Sequence, residues 1–145
     1  MFIFGLILII SFNFIFGLDE RYHTYEEVHQ QLIDWDVEFG STPNAIAQYP
    51  GSGIVYDLIE IGYSNNLILR FWAVKLSYNA DINEDEPKVL ILGQCHAEEI
   101  LGVEIAMEII DWFLHPLEHV QIFNTVFKPI FQNTEIWVVP THNPE

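Results

Sequence analysis

The chain has 145 residues, half of them hydrophobic, and a formal net charge of −16 from 21 acidic and 5 basic residues. This length allows one domain with a sizeable core. The scarcity of basic residues argues against a nucleic-acid partner, because phosphate binding needs a basic face, and the negative charge disfavours an anionic membrane surface.

The first 18 residues carry no charge and are dominated by Phe, Ile and Leu, until Asp19 ends the segment. This composition predicts a secretory signal peptide with Gly17 as the small residue before the cut, although no basic residue precedes the run and the large Ile15 stands at the second small position. An uncleaved membrane anchor is the alternative, because residues 1–18 are near the length that spans a bilayer. Both interpretations place residues 19–145 in a secreted or extracytoplasmic setting, with the membrane as a partner only if the segment stays as an anchor.

A helix is predicted over Thr24–Phe39. Thr24 and Glu27 form a capping box at its start, and Gly40 follows as a stop signal. Apolar residues recur at helical spacing and are expected to face the core. They are Tyr25, Val28, Leu32 and Trp35.

A hairpin is predicted next, after a loop over residues 42–53 that holds two prolines and two glycines. Val55–Tyr63 and Leu67–Ser77 are rich in strand formers, and Asn65 with Asn66 suits the tight turn between them. The acidic segment Asn79–Pro87 has the composition of a calcium loop, but it lacks the regular ligand spacing and central glycine. We therefore predict a solvated loop there.

The short apolar run Lys88–Gly93 predicts a fully buried strand. A helix is predicted directly after it, over Ala97–Leu114, and His96 and Glu99 then lie three residues apart on one helical face. The crevice beyond the carboxyl ends of strands is where α/β sheets bind ligands, and imidazole and carboxylate are ligand types that zinc takes. His-x-x-Glu occurs three times in the sequence, and the copy at His96 is the one that follows a strand.

The lone cysteine, Cys95, cannot form an intrachain disulfide. Its ordinary interpretation is a small buried residue, and thiolate ligation of a metal beside His96 is the alternative. The helix that follows carries an apolar stripe and ends at Pro116. The stripe comprises Ile100, Val103, Met107, Ile110 and Leu114.

Two more elements are predicted near the end of the chain: a helix over Val120–Phe131, which Pro129 limits, and a short strand over Ile136–Val139. A hairpin followed by strand, helix and strand predicts an α/β fold, in which helices pack on a mixed β-sheet.

Four segments, in the same order along the chain, resemble zinc carboxypeptidases of the carboxypeptidase A type. The most specific is Gly93–Glu99 with its following helix, since the family carries His-Ala-Arg-Glu or a close relative at this strand-to-helix junction. The others are Tyr22–Glu27, the hairpin Ile61–Ser64 with Arg70–Ser77, and Glu135–Pro140 closing on Asn143–Glu145. The spacing before Arg70 and the Glu at 145 depart from the family pattern.

The resemblance implies that residues 19–145 are the N-terminal part of a catalytic domain built on an eight-stranded mixed sheet. It implies that His96 and Glu99 are two ligands of one catalytic Zn²⁺. It also implies that the third ligand, the substrate-binding arginines, the tyrosine over the site and the glutamate base lie beyond residue 145. No catalytic residue is therefore expected in this chain, and His115, His119 and His142 do not stand at matching positions.

The function that follows is a zinc-dependent metallocarboxypeptidase, which hydrolyses C-terminal residues from a peptide or protein substrate by metal-activated water. This chain alone is expected to be inactive, and a protein tail and a cell-wall peptide stay open as substrates. The alternative is a non-catalytic, peptidase-like binding or interaction domain. Glu98 favours the alternative, because it stands where the family often has an arginine that helps to hold substrate.

Overall fold

The computed structural model describes residues 22–65, 69–116 and 123–143. The segment predicted as signal peptide or anchor, residues 1–18, lies outside these ranges, as do Asn66 of the predicted turn, His119 and Glu145. None of the helices within these ranges combines the length and apolarity that a membrane crossing needs.

Helix α1, Tyr25–Phe39, begins at the predicted capping box. The Glu27 amide donates to the Thr24 hydroxyl over 3.3 Å, and the Thr24 amide donates to the Glu27 carboxylate over 2.8 Å. The helix ends where the Gly40 amide donates to the Asp36 carbonyl. Its core-facing residues are buried, and they are Val28, Leu32, Trp35 and Phe39.

The predicted hairpin is present as β1, Tyr56–Tyr63, and β2, Arg70–Leu76. The two strands are antiparallel, with Tyr56 opposite Leu76 and Tyr63 opposite Arg70, and their register shifts once between Glu60 and Gly62.

Five more elements complete the described fold. In chain order they are β3, Lys88–Leu92; α2, Ile100–Leu114; a π-helical turn, Phe123–Phe127; α3, Lys128–Phe131; and β4, Glu135–Val139. The sheet order is β1-β2-β4-β3. Strand β4 is antiparallel to β2 and parallel to β3, which confirms the predicted mixed sheet. The helical turns over 123–131 fall within the predicted helix Val120–Phe131.

The core lies between the sheet and the helices α1 and α2, whose apolar stripes meet Val74, Ile136 and Val138. Phe131 is fully buried between two rings, with centroids 4.4 Å from Tyr49 and 5.4 Å from Phe113. The predicted stripe of α2 is confirmed, because Val103, Met107, Ile110 and Leu114 are all buried.

A buried ion cluster stands at the start of β4. The Glu135 carboxylate is fully buried and lies 3.1 Å from Lys75 Nζ and 2.9 Å from Lys88 Nζ. The Trp137 indole and the Glu84 amide also donate to it. Burial acts to raise the pKa of Glu135, but the hydrogen bonds from Lys88, Lys75 and Trp137 outweigh it and lower the pKa to about 2.

The prediction that Lys88–Gly93 forms a fully buried strand was right about the strand and wrong about its burial. Val89, Leu90 and Leu92 are all exposed. The physical reason is that β3 pairs with β4 on one side and stands at the edge of the described sheet. Apolar composition therefore predicted the strand, whereas its solvent exposure depends on which chain segments lie beside it.

Candidate metal site

The loop that carries His96 is fixed to the ends of the two parallel strands. The Gly93 amide donates to the Val139 carbonyl over 2.9 Å, and the Gln94 amide donates to the Pro140 carbonyl over 3.2 Å. Parallel strands β3 and β4 thus end together, and the loop leaves the sheet at their carboxyl ends. This is the position at which open α/β sheets form ligand sites.

Two glycines allow this loop to cross the first turn of α2 at very short range. A Cβ atom added to Gly102 would lie 2.2 Å from the Gly93 carbonyl oxygen, and one added to Gly93 would lie 2.2 Å from the Pro140 carbonyl oxygen. Real Cβ atoms do not make such contacts, so both positions require glycine for close approach rather than for an unusual dihedral angle. Sequence reasoning missed this pair.

The predicted start of the second helix at Ala97 was wrong, because α2 begins at Ile100. Glu99 has φ −88° and ψ 53°, outside the helical region, and its amide donates to the His96 carbonyl over 2.9 Å. His96 and Glu99 therefore share a turn before the helix and not a helical face. The turn nevertheless brings them together, as their spacing had suggested.

The two side chains are in direct contact and open to solvent. His96 Nδ1 lies 3.0 Å from Glu99 Oε1, and the His96 amide donates to Glu99 Oε2 over 3.3 Å. The side chains are 69% and 49% exposed. The hydrogen bonds from the His96 side chain and backbone lower the pKa of Glu99, so its carboxylate is ionised and available as a ligand at neutral pH.

Gln94 supports the turn that carries His96, and it was not identified from the sequence. Its side chain is buried, and its Nε2 donates to the Ala97 carbonyl over 2.8 Å. A buried amide needs such a partner, because leaving it unpaired costs free energy. The one signal in the sequence was a polar residue placed directly after an apolar strand and two residues before His96.

The 3.0 Å between His96 Nδ1 and Glu99 Oε1 is a hydrogen-bonding separation. Two ligands at ordinary Zn–N and Zn–O distances on a tetrahedral zinc would lie about 3.3 to 3.4 Å apart, so the two side chains would have to move slightly apart to hold one ion. Among the described residues there is no group of three or more His, Cys, Asp or Glu side chains that could hold a metal ion. The described residues thus bring together two side chains of a type that can bind metals, His96 and Glu99, on a turn that is open to solvent.

The neighbouring candidates do not extend this pair. Cys95 is exposed, so the expectation of a buried thiol was wrong, and the reason is that the turn carries the residue away from the core. Glu98 is also exposed and points to no described partner. His115 lies at the opposite end of α2, 2.8 Å from Asp111, and His142 is exposed in the loop after β4.

The family model described as zinc carboxypeptidase matches residues 53–145. A curated relative named zinc carboxypeptidase, from Saccharothrix mutabilis subsp. capreolus, is 35% identical over 74 residues, which are 51% of this chain and 16% of that protein.

Two solved structures share the architecture. Carboxypeptidase A from Helicoverpa armigera superposes with a TM-score of 0.63 at 18% identity, over 85% of this chain and 25% of that one. The thrombin activatable fibrinolysis inhibitor superposes with a TM-score of 0.60 at 12% identity, over 95% of this chain and 31% of that one. At these identities the structures show the fold alone, and they confirm the predicted mixed sheet with helices. The chain spans less than a third of each of the three relatives.

Proposed function

The chain belongs to the zinc carboxypeptidase family, as the resemblance predicted, and on this premise we propose that it is the N-terminal part of a zinc-dependent metallocarboxypeptidase. The parent enzyme hydrolyses C-terminal residues from a peptide or protein substrate. The observation that carries the proposal is the contact of His96 with Glu99 at 3.0 Å, directly after the parallel strand pair.

The two side chains have the roles of metal ligands. His96 presents a ring nitrogen, and Glu99 presents a carboxylate whose lowered pKa keeps it ionised. A zinc ion held by His96 and Glu99 would polarise the substrate carbonyl and lower the pKa of a bound water molecule. Gln94 and the Gly93–Gly102 contact hold the turn, so that both ligands stay on one side of the loop.

The remaining parts of the proposal concern the longer protein. Residues 19–145 form the N-terminal part of its catalytic domain, and residues 1–18 direct it to a secreted or extracytoplasmic setting. A third ligand and the groups that bind substrate come from outside this chain, because catalytic zinc sites normally have three protein ligands.

The test is zinc binding and amino-acid release from a short peptide, measured on the longer parent protein. His96→Ala and Glu99→Ala should each abolish tight zinc binding and chelator-sensitive release. His115→Ala is the matched control, because it removes a histidine at the far end of α2 and should leave both unchanged. The 145-residue chain, with two ligands, should release no amino acid at a useful rate.

Three outcomes would change the assignment. Chelator-sensitive release by the 145-residue chain alone would contradict the proposal that catalytic groups lie outside it. If the parent protein with His96→Ala still bound zinc tightly, His96 would not be a zinc ligand. A parent that binds zinc but releases nothing would favour the alternative, a peptidase-like binding or interaction domain. The exposed Glu98 supports this alternative, because by resemblance the family often has an arginine at this position.

A further inference from the structure

The turn that joins the two proposed ligands carries one further acidic residue, Glu98. The Glu99 amide donates to the His96 carbonyl over 2.9 Å, so Ala97 and Glu98 are the two central residues of a four-residue turn. The ends of such a turn lie within about 7 Å of one another, and the Cα atom of Glu98 is about 3.8 Å from that of Glu99. Glu98 therefore stands beside any ion or substrate that His96 and Glu99 hold.

The carboxylate of Glu98 carries a negative charge that is open to solvent. Glu98 is exposed, and no hydrogen bond or ion pair joins its side chain to another of the described residues. Its neighbours in the turn are already engaged, since Ala97 accepts a hydrogen bond from Gln94 and Glu99 contacts His96 at 3.0 Å. In the proposed function Glu99 serves the metal, so Glu98 is the residue of the turn whose charge is available to a substrate.

The basic residues of the described ranges are paired or lie in other elements. Lys75 and Lys88 both bind Glu135 at the start of β4, whereas the turn lies beyond the opposite end of the β3–β4 pair. Arg70 binds an acidic residue of β1, and Lys128 opens α3. The negative charge of Glu98 is therefore not neutralised by the part of the chain that the structure describes.

We propose that Glu98 is a specificity-determining residue, through which the parent enzyme prefers peptides with a lysine or arginine close to the cleaved bond over peptides with an acidic residue there. The inference rests on the proposed function, from which it takes the peptide substrate and the His96–Glu99 pair, and it adds the class of substrate. The net charge of −16 acts in the same direction at longer range, because it attracts cationic peptides before they reach the site.

The size of the preference follows from the distance between the charges. An opposite charge about 8 Å from Glu98 changes an equilibrium constant by roughly two- to thirtyfold, between the dielectric constant of water and that near a protein surface. Exchanging a basic for an acidic substrate side chain changes this interaction by two charges, so we expect a preference of about tenfold. Because Glu98 is open to solvent, salt should reduce the preference.

The experiment uses the zinc-saturated parent protein and pairs of short peptides that differ by lysine or glutamate at a single position, placed in turn at each of the last few residues. The ratio of kcat/KM for the lysine peptide to kcat/KM for the glutamate peptide should be about tenfold at one or more positions. Glu98→Gln should lower this ratio, and Glu98→Lys should lower it further. Each ratio is measured within one preparation, so a loss of active enzyme cancels.

The matched control is Glu38→Lys, which changes the net charge by the same amount. Glu38 is exposed at the end of α1 and lines a groove together with His115, which follows the end of α2. The 15 residues of α2 separate this groove from the turn by roughly 22 Å, well beyond the screening length of about 8 Å at physiological salt. Glu38→Lys should therefore leave the ratios unchanged. If it lowered them as much as Glu98→Lys does, overall charge would set the preference and the proposal would be overturned.

The two proposals fail separately. An active parent whose ratios are the same with Glu98, Gln or Lys at this position would overturn the role of Glu98 and leave the proposed function standing. If the parent releases no amino acid, the same peptides are titrated into the zinc-loaded protein, and the ratio of their Kd values replaces the kinetic ratio. A Kd ratio that responds to Glu98→Lys and not to Glu38→Lys supports the role of Glu98 without enzymatic activity, whereas a ratio that responds to neither overturns it.

Discussion

Buried Gln94 donates a hydrogen bond of 2.8 Å from its Nε2 to the carbonyl oxygen of Ala97. This bond spans the turn that presents His96, and the hydrogen bonds described for Gln94 go to Ala97 and Pro140 and not to either proposed ligand. Gln94→Ala should therefore weaken zinc binding by the parent protein about tenfold, the lower end of what supporting residues contribute to metal sites. Isothermal titration with zinc measures the change.

The control for Gln94 is Gln132→Ala, because Gln132 is exposed after α3 and far along the chain from the site. It should leave zinc affinity unchanged. If Gln94→Ala lowers the thermal midpoint but leaves zinc affinity at the wild-type value, Gln94 stabilises the fold and has no positioning role.

The contact between Gly93 and Gly102 predicts that replacing Gly102 by alanine destabilises the protein, although this change in a helix normally stabilises it. Replacing a helical glycine by alanine normally stabilises a protein by about 0.5 to 1 kcal/mol. Here the new Cβ atom would lie 2.2 Å from the Gly93 carbonyl oxygen, so Gly102→Ala should instead destabilise by about 1 to 3 kcal/mol. Denaturant unfolding decides the sign, and a stabilised variant would show that the loop moves away at little cost.

Features that depend on neighbouring residues could be predicted from the sequence. The capping box of Thr24 and Glu27, the hairpin and β4 each follow from a few adjacent side chains, and all three are confirmed. The pairing of His96 with Glu99 also followed from spacing, even though a turn and not a helix produces it.

Features that depend on distant segments could not be predicted in this way. The start of α2 is displaced because residues 96–99 form a turn, in which the Glu99 amide donates to the His96 carbonyl and Glu99 lies outside the helical region. The role of Gln94 depends on a carbonyl group that only the folded turn presents. The solvent exposure of β3 depends on what pairs with its second edge, and the residue composition of Lys88–Gly93 does not predict this.

The exposure of Cys95 predicts that its thiol reacts in the native protein. A disulfide reagent should label one thiol per chain without denaturant, since the sequence holds one cysteine and the turn leaves it exposed. Cys95→Ser should take no label. If the thiol reacted only after unfolding, Cys95 would be buried in the native protein, as the sequence predicted.

The ion cluster around Glu135 predicts a large loss of stability when the carboxylate is removed. Glu135→Ala leaves the amine of Lys75, which is 5% exposed, without its counter-charge. Breaking a buried pair in this way typically costs about 3 to 5 kcal/mol. Denaturant unfolding at pH 7 measures this loss of stability. Glu60→Ala is the control, because Arg70, the partner of Glu60, is half exposed, and breaking this exposed pair should cost about 1 kcal/mol or less.

The same carboxylate sets a pH dependence whose sign can be worked out. The pKa of Glu135 falls from its usual 4.5 to about 2 in the folded protein, so the unfolded chain binds a proton at a higher pH than the folded chain does. The stabilisation is therefore fully present above about pH 4.5 and is lost as the pH falls toward 2.

Glu135→Gln tests this pH dependence, because it keeps the shape of the side chain and removes its titration. The difference in free energy of unfolding between the wild type and Glu135→Gln should shrink between pH 6 and pH 3, because the unfolded wild-type chain takes up a proton over this range while the folded carboxylate stays ionised. A difference that stays constant over this range would mean that the glutamine is penalised for packing or lost hydrogen bonds, and that the charge of Glu135 contributes nothing to stability.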